Sequence, residues 1–182
     1  MHLWLTPAQA AQIVRHAQDA APHEACGLIG GRDGQALAVI PVENVAAQPN
    51  TQYRLDPAQQ AQAMLQFHRE GLDLLAIYHS HPTSDTLPSP VDVREATYPD
   101  ALYLIAGLRT HPPQLAAWQL GHDATPADLY VQHARPEVSQ EPTLTPAQRT
   151  IIILATAAIF VAVILLSLYL LPPAPPIPTP SG

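Results

Sequence analysis

Residues 74–92 read LLAIYHSHPTSDTLPSPVD, and this stretch decides both the fold of the chain and the chemistry it can support. Its first five residues form a short apolar run that is typical of a buried strand. Side chains two positions apart on a strand share one face, so His79 and His81 are expected to point the same way. Pro82 has no N–H for a strand ladder, and the predicted strand therefore ends near His81.

A carboxylate downstream of the two histidines could complete a metal site. Asp92 lies where a short helix over Val91 to Thr97 is expected to begin, and a helix N-terminus favours the ionised carboxylate. Two imidazoles and one carboxylate are three protein ligands, the number that a catalytic zinc takes while its fourth position stays open for water. Asp85 in the intervening loop could be the carboxylate instead. The chain holds 9 histidines in 182 residues, so a His-x-His pair can also arise by chance.

A second segment, HEACGLIGG at residues 23–31, holds a candidate general base. Glu24 begins an apolar run after the helix-like stretch from Thr6 to Ala20. A carboxylate in this position could take a proton from a zinc-bound water and pass it to the leaving amine. Taken alone, Glu24 could equally be a solvated residue at a turn. Cys26 could be a nucleophile, but a cysteine in an apolar strand is usually a packing residue, which is the interpretation adopted.

Together these residues resemble the JAMM/MPN (JAB domain) zinc metalloprotease family of prokaryotic type. The family pattern is an upstream Glu, then His-x-His, seven residues, Ser, two residues and Asp. This chain matches the whole pattern, in the order Glu24, His79, His81, Ser89 and Asp92. The sequence context of residues 24–28 also looks like the family, and the resemblance covers roughly residues 3–131.

The resemblance implies a role for each matching residue. His79, His81 and Asp92 would bind one Zn²⁺ ion with a bound water. Glu24 would be the general acid/base, and Ser89 would help to stabilise the oxyanion of the tetrahedral intermediate. Ser89 could instead be a helix N-cap or a turn serine, and the two roles can coexist. The implied reaction is hydrolysis of a peptide or isopeptide bond, at the C-terminus of a ubiquitin-like or sulfur-carrier protein.

The pattern of helices and strands predicts an α+β (mixed α/β) fold. Helices are expected from Thr6 or Pro7 to about Ala20 and, with Asp56 as N-cap, from Pro57 to about Glu70, where Gly71 stops the helix. Strands are expected over Cys26–Gly30, Ala36–Val42, Gln52–Leu55, Leu74–Ser80, Ala101–Gly107 and Gln114–Leu120, with a hairpin turn at Asp33-Gly34. The resemblance implies a curved mixed β-sheet flanked by helices, with MPN/JAB-like, cytidine deaminase-like layering.

The C-terminal part of the chain is predicted to cross a membrane. We expect a catalytic domain over 1–133, a polar, proline-containing linker over 134–149, a transmembrane helix over 150–171 and a proline-rich tail over 172–182. From residue 151 to 171 only Thr156 and Ser167 are clearly polar. A helix of this length would span about 31 Å at about 1.5 Å per residue, which matches a bilayer core. No signal peptide is recognised and Arg149 precedes the span, so a single-pass C-terminal anchor with a cytoplasmic catalytic domain is expected.

Charge and composition limit the classes of molecule that the chain is expected to bind. All 15 acidic residues and all 8 arginines precede the predicted span, and the net charge of −7 does not suit nucleic acid. We expect a protein or peptide substrate, and nothing indicates the oligomeric state. No long insertion follows Asp92, which disfavours an enzyme specific for ubiquitin chains.

Tyr53 and Arg54 could contact a substrate, and Trp118 is expected to be a packing residue. The remaining histidines considered are expected at the surface: His111, His122 and His133.

Three functions stay open at this point. The first is a membrane-anchored zinc peptidase or isopeptidase. The second is a catalytically silent MPN-type module that recruits a partner at the membrane. The third is a zinc hydrolase of a small amide conjugate, such as an amino acid on a carrier. The complete ligand set argues against the silent module.

Overall fold

The computed structural model describes residues 1–133, 154–155, 159–163 and 166. The chain divides into two compact units, Met1–Pro136 and Glu137–Gly182. Within the residues that the structure describes, no helix is long and apolar enough to cross a membrane. The predicted linker (134–149), the predicted tail (172–182) and most of the predicted transmembrane helix (150–171) lie outside the described residues.

The described part of the first unit is built from strands and helices that alternate irregularly. The strands are β1 (His2–Leu5), β2 (Cys26–Arg32), β3 (Gln35–Val42), β4 (Asp73–His81), β5 (Leu102–Gly107), β6 (Gln114–Leu120) and β7 (Ala124–Val131). The helices are α1 (Pro7–Ala20), α2 (Pro57–Glu70) and α3 (Pro90–Glu95). Five of the six predicted strands and both predicted long helices are thus present, within one or two residues of the predicted bounds.

The strands form one sheet in the order β1-β3-β2-β4-β5-β6-β7, and this sheet closes on itself. β4 and β5 are parallel, whereas β2 is antiparallel to both β3 and β4. The predicted mixed sheet is therefore confirmed. Closure was not predicted, because it depends on β1, which pairs in parallel with both β3 and β7. Strands β1 and β7 were not predicted, because β1 is short and β7 contains Pro126 and Asp128, residue types that are depleted in strands.

The strand predicted over Gln52–Leu55 was wrong. This segment forms only an isolated bridge between Asn44 and Leu55. The Asn44 side chain occupies the backbone groups that a neighbouring strand would otherwise pair. Its Nδ2 donates to the carbonyl oxygen of Gln52, and its Oδ1 accepts from the N–H of Arg54. A local side-chain partner of this kind competes with a strand ladder, and a residue pattern does not reveal it.

Local capping and turn residues act as the sequence predicts. Asp56 is the N-cap of α2, and its side chain accepts from the N–H of Gln59. Gly71 follows α2 with φ 65°, in the left-handed region that favours glycine. Asp33 and Gly34 have φ values of 50° and 78°, which is the geometry of a two-residue hairpin turn. Gly71 thus ends α2 just before β4 begins at Asp73, and Asp33-Gly34 connects β2 to β3.

Both faces of β4 are buried, which explains its continuous apolar sequence. Tyr78 packs in a core with β1 and α1, whereas Ile77 packs in a second core with α2 and β2. Gly30 of β2 leaves room for Phe67 of α2, because a Cβ on Gly30 would lie 2.5 Å from the Phe67 ring. By alternation, His79 continues the Ile77 face of the strand, so it is presented on the side of the sheet that α2 covers.

Candidate active site

Three ligand side chains meet at the C-terminal end of β4. The Nε2 atoms of His79 and His81 lie 3.2 Å apart. In α3, Asp92 places Oδ1 3.5 Å from Nε2 of His79 and Oδ2 3.4 Å from Nε2 of His81. All three residues are buried, and their ligand atoms lie within 4.8 Å of one another. The structure thus brings together the three residues that the sequence analysis proposed as ligands.

The orientation of His81 fits a metal ligand. Its Nδ1 lies 2.8 Å from the carbonyl oxygen of Asp85. A carbonyl oxygen only accepts hydrogen bonds, so the proton of a neutral His81 is on Nδ1 and the lone pair of Nε2 faces His79 and Asp92. Histidines that bind a metal usually donate their other N–H in this way. Two imidazole nitrogens and one carboxylate fit zinc with an open coordination position.

The pKa values of the ligands are shifted by burial and by their contacts with one another. Burial alone would raise the pKa of Asp92, but hydrogen bonds with His79 and His81 lower it well below its ordinary value. Burial lowers the pKa of His79 despite its hydrogen bond with Asp92. Burial also lowers the pKa of His81, but hydrogen bonds with Asp92 and with the Asp85 carbonyl outweigh it, and the net shift is upward. An ionised Asp92 and a neutral His79 are the states that bind a metal.

Helix α3 holds the Asp92 carboxylate in place through a capping box. Ser89 is the N-cap: its Oγ accepts from the N–H of Asp92 at 3.2 Å, and its own N–H donates to Asp92 Oδ2 at 2.6 Å. The N-cap role considered for Ser89 is therefore confirmed. Asp85 is engaged elsewhere, because its carboxylate accepts from the N–H of Leu87 and pairs with Arg109. Of the two acidic residues considered, Asp92 is the one beside the histidines.

Glu24 lies just before β2 and is buried, with 5% of its surface exposed. Burial raises the pKa of its carboxyl group to about 7; the nearby His81 lowers it and the nearby Asp92 raises it. Its Oε2 is buried and has no hydrogen-bond partner in the described part of the chain. The alternative of a solvated turn residue is therefore wrong. A buried carboxylate near the ligands, with one oxygen that makes no hydrogen bond in the described part of the chain, fits a group that receives a proton.

Ser80 of β4 bonds the backbone of Ala25, the residue that follows Glu24, and this role of Ser80 was not predicted from the sequence. Its N–H donates to the carbonyl oxygen of Ala25 at 2.9 Å, and its Oγ accepts from the N–H of Ala25 at 2.8 Å. Ser80 lies between the two histidines and is completely buried. A buried hydroxyl needs a partner, so a serine inside an otherwise apolar strand was the signal available in the sequence.

The loop between β4 and α3 is held by residues of β5 and β6. The indole Nε1 of Trp118 donates to the carbonyl oxygen of Thr86 at 2.8 Å. Gly107 allows the loop to approach, because a Cβ there would lie 2.9 Å from the carbonyl carbon of Asp85 and 3.1 Å from the nitrogen of Thr86. Trp118, expected as a packing residue, thus also orients the loop whose Asp85 carbonyl holds His81.

Gly107→Ala is expected to lower zinc affinity about 10-fold, because an added methyl group displaces the Asp85 carbonyl that orients His81. Competition with a chelator measures the dissociation constant. Gly121→Ala is the matched control, since a Cβ at Gly121 meets nothing within 4 Å. Equal affinities in the two variants would show that the Asp85 carbonyl does not orient the ligand.

A cavity of about 200 Å³ adjoins the ligands. Tyr53, Arg54 and Asp92 are among its lining residues, so Tyr53 and Arg54 lie where a substrate could contact them. The Tyr53 ring also stacks on the His79 ring, with centroids 4.3 Å apart and planes 16° from parallel.

Cys26 does not fit a nucleophile, because burial raises the pKa of its thiol to about 12 and its Sγ donates to the Val42 carbonyl. The three histidines expected at the surface are exposed: His111, His122 and His133.

Comparisons with known proteins agree with this geometry. A family model described as prokaryotic homologs of the JAB domain matches residues 6–121. The chain is 40% identical over 100 residues to a desampylase of Haloferax volcanii, which covers 51% of this chain and 71% of the relative. It is 47% identical over 83 residues to a probable TtuB-protein conjugate cleaving protease of Thermus thermophilus, covering 46% of this chain and 55% of the relative.

Further likenesses extend over most of the first unit. A CysO-cysteine peptidase of Mycobacterium tuberculosis is 34% identical over 111 residues, which cover 59% of this chain and 75% of the relative. A solution structure from Desulfitobacterium hafniense superposes with a TM-score of 0.67 at 30% identity, covering 75% of this chain and 96% of that one. A solution structure from Salinibacter ruber superposes with a TM-score of 0.56 at 31% identity, covering 74% and 94%.

Proposed function

Because the chain belongs to the family of prokaryotic homologs of the JAB domain, we propose that it is a zinc-dependent isopeptidase that releases a ubiquitin-like or sulfur-carrier protein from its conjugates. The chain is a hydrolase of JAMM type, and its His-His-Asp set fits a zinc site of that type. One observation carries the proposal: three ligand side chains lie together in a buried site, and the carboxyl group of Glu24 is buried near them.

Each side chain of the site has a distinct part in this proposal. His79, His81 and Asp92 would hold the zinc ion, which when bound supplies Lewis acidity and lowers the pKa of a water toward about 7. Glu24 takes the proton of the attacking water and delivers it to the leaving amine. The Ser89 hydroxyl accepts from the N–H of Asp92, which leaves its own hydrogen to donate to the developing oxyanion.

The names of the relatives support the substrate class. The Thermus thermophilus relative is named as a protease that cleaves TtuB-protein conjugates, and the Mycobacterium tuberculosis relative as a CysO-cysteine peptidase. The first name describes a protein conjugate and the second a bond to cysteine. A substrate in which a small protein is joined through its C-terminus to an amine is consistent with both. The second name also favours our alternative function, hydrolysis of a conjugate whose leaving group is a single amino acid.

Two matched substrates test the proposed function. In the first, a ubiquitin-like protein ending in Gly-Gly is joined to the lysine side chain of a reporter protein; in the second, a short Gly-Gly peptide is joined to free cysteine. We expect zinc-dependent cleavage of the protein conjugate, with kcat/KM at least 10-fold higher than for the small amide, or about 1.4 kcal/mol of transition-state binding. Faster cleavage of the small amide would favour the alternative, and failure to cleave either substrate would contradict both.

We further propose that residues 150–171 anchor the catalytic domain to the cytoplasmic face of a membrane. The uncharged sequence supports this proposal, as do the exposed apolar side chains at described helical positions such as Leu154, Phe160 and Val161. We expect the full chain to stay in the membrane pellet after a carbonate wash and to be released by detergent. Phe160→Arg with Val161→Arg should weaken insertion, because arginine in a span costs about 2.5 kcal/mol or more. A wild-type chain recovered without detergent would contradict the anchor.

A further inference from the structure

The segment between β3 and α2, residues 43–56, bonds to the backbone of Glu24 and is called here the Asn44 loop. The N–H of Glu24 donates to the carbonyl oxygen of Pro49 at 2.7 Å. The carbonyl oxygen of Glu24 accepts from Nδ2 of Asn44 at 2.9 Å. Glu24 precedes β2, so its position depends on this loop rather than on the sheet ladder.

The Asn44 side chain uses its full hydrogen-bonding capacity. Its Nδ2 donates to the carbonyl oxygens of Glu24 and Gln52, at 2.9 and 3.0 Å. Its Oδ1 accepts from the N–H groups of Ala46 and Arg54, both at 3.0 Å. An amide has two donor hydrogens and two acceptor lone pairs, so this single side chain links the Glu24 segment to residues 52–54. An aspartate of the same shape keeps both acceptor functions and lacks both donors.

The same loop contacts a metal ligand and lines the cavity. Tyr53 lies between Gln52 and Arg54, which both bond the Asn44 side chain, and its ring stacks on His79. His79 Nδ1 is buried and has no hydrogen-bond partner among residues 1–133. A hydrogen bond from the second nitrogen usually orients a metal-binding histidine. For His79, the observed contact is the stacked Tyr53 ring, which restrains the plane of the imidazole. Three consecutive loop residues also line the cavity: Tyr53, Arg54 and Leu55.

We propose that Asn44 is a positioning residue that fixes the Glu24 backbone and the Tyr53 segment relative to one another, and so sets the spacing between the base and the ligand His79. The effect on catalysis rests on the function proposed above. Loss of this linkage leaves the zinc ligands and the Glu24 carboxyl group in the protein but allows the carboxyl group to shift. A misplacement of about 1 Å is enough to lower a rate about 100-fold.

Asn44→Asp tests the inference, and Asn50→Asp is its matched control. Asn50 lies in the same loop and is exposed. In zinc-loaded full-length protein, Asn44→Asp is expected to lower kcat about 10- to 100-fold with little change in KM and an unchanged zinc content. Asn50→Asp should behave as wild type. A role confined to stability would lower the melting temperature of Asn44→Asp and leave kcat per zinc-loaded molecule equal to that of Asn50→Asp, which would overturn the inference.

Amide hydrogen exchange tests the linkage independently of catalysis. The Glu24 amide should exchange at least 10-fold faster in Asn44→Asp than in Asn50→Asp, because the donor to the Glu24 carbonyl oxygen is lost, and equal rates would overturn the inference. A wild-type protein that cleaves neither conjugate contradicts the proposed function alone, and the exchange rates then decide whether Asn44 holds Glu24. If Asn44→Asp does not fold, Asn44→Ala is measured in the same way, because it places no carboxylate against the two carbonyl oxygens.

Discussion

Glu24→Gln is expected to lower kcat about 10²- to 10⁴-fold, the range that general acid–base catalysis contributes. The amide keeps the shape of the side chain but cannot take a proton from the attacking water. Because Glu24 is not among the three ligands, zinc content should stay at the wild-type level. Steady-state cleavage of the protein conjugate, with zinc measured on the same samples, checks both statements. Glu43→Gln is the matched control, since Glu43 is exposed and bonds Gln59 away from the ligands.

In metal-free protein, Glu24→Gln is expected to raise the stability of the fold, although it lowers activity. Burial raises the pKa of Glu24 from 4.5 to about 7, so the folded state keeps a proton that the unfolded state loses between these values. Wild-type stability therefore falls as pH rises through this window, and Glu24→Gln removes the loss. At pH 8 the metal-free variant should be more stable by up to about 3 kcal/mol, and at pH 4 the two should be equal. Unchanged activity in Glu24→Gln, or equal stability at pH 8, would contradict our assignment of Glu24.

Asp92→Ala is expected to lower zinc affinity at least about 100-fold and to abolish cleavage at zinc concentrations that saturate the wild type. Mutation of a residue that hydrogen-bonds a metal ligand lowers metal affinity about 10- to 100-fold. Loss of the ligand itself should lower the affinity at least about 100-fold. The variant also loses the side-chain half of the capping box with Ser89, which leaves α3 less well fixed. Chelator competition measures the affinity, and circular dichroism monitors the fold.

Asp85→Ala tests which of the two aspartates, Asp85 or Asp92, is the metal ligand, a choice that the sequence did not decide. Its side chain pairs with Arg109 and caps Leu87, while the interaction with His81 is made by the backbone carbonyl. We therefore expect Asp85→Ala to keep zinc affinity within about threefold of wild type, since a capping or surface-pair loss is small. The ligand assignment is wrong if Asp85→Ala loses zinc and Asp92→Ala retains it.

The two histidine ligands could be predicted from the sequence because their geometry is local. The alternation of a strand places His79 and His81 on one face, and Pro82 ends the strand directly after them. Ser89 caps helix α3, which begins at Pro90 after a short loop, and the first turn of the helix brings Asp92 back to the histidines. The choice of Asp92 over Asp85 and the identity of the base both needed the family resemblance. The residue pattern alone could not decide between the two aspartates, nor separate a buried Glu24 from a solvated one.

The contacts that support the site could not be predicted, because they join residues far apart in the chain. The bond from Trp118 to Thr86 and the close approach at Gly107 depend on how β5 and β6 pass the ligand loop. The strand predicted over residues 52–55 was wrong for a different reason: the side-chain amide of Asn44, a residue nearby in the chain, binds those backbone groups. Closure of the sheet depends on β1 pairing with β7, a contact between the two ends of the first unit.

Stoichiometric restoration of activity by zinc tests the central claim most directly. Full-length protein is stripped with a chelator, titrated with zinc, and assayed on the ubiquitin-like conjugate at each step. Our account predicts no cleavage without metal and a linear rise that stops at one zinc per chain, the capacity of a single site with three protein ligands. Full cleavage by the stripped protein, or a chain that binds no zinc, would contradict it.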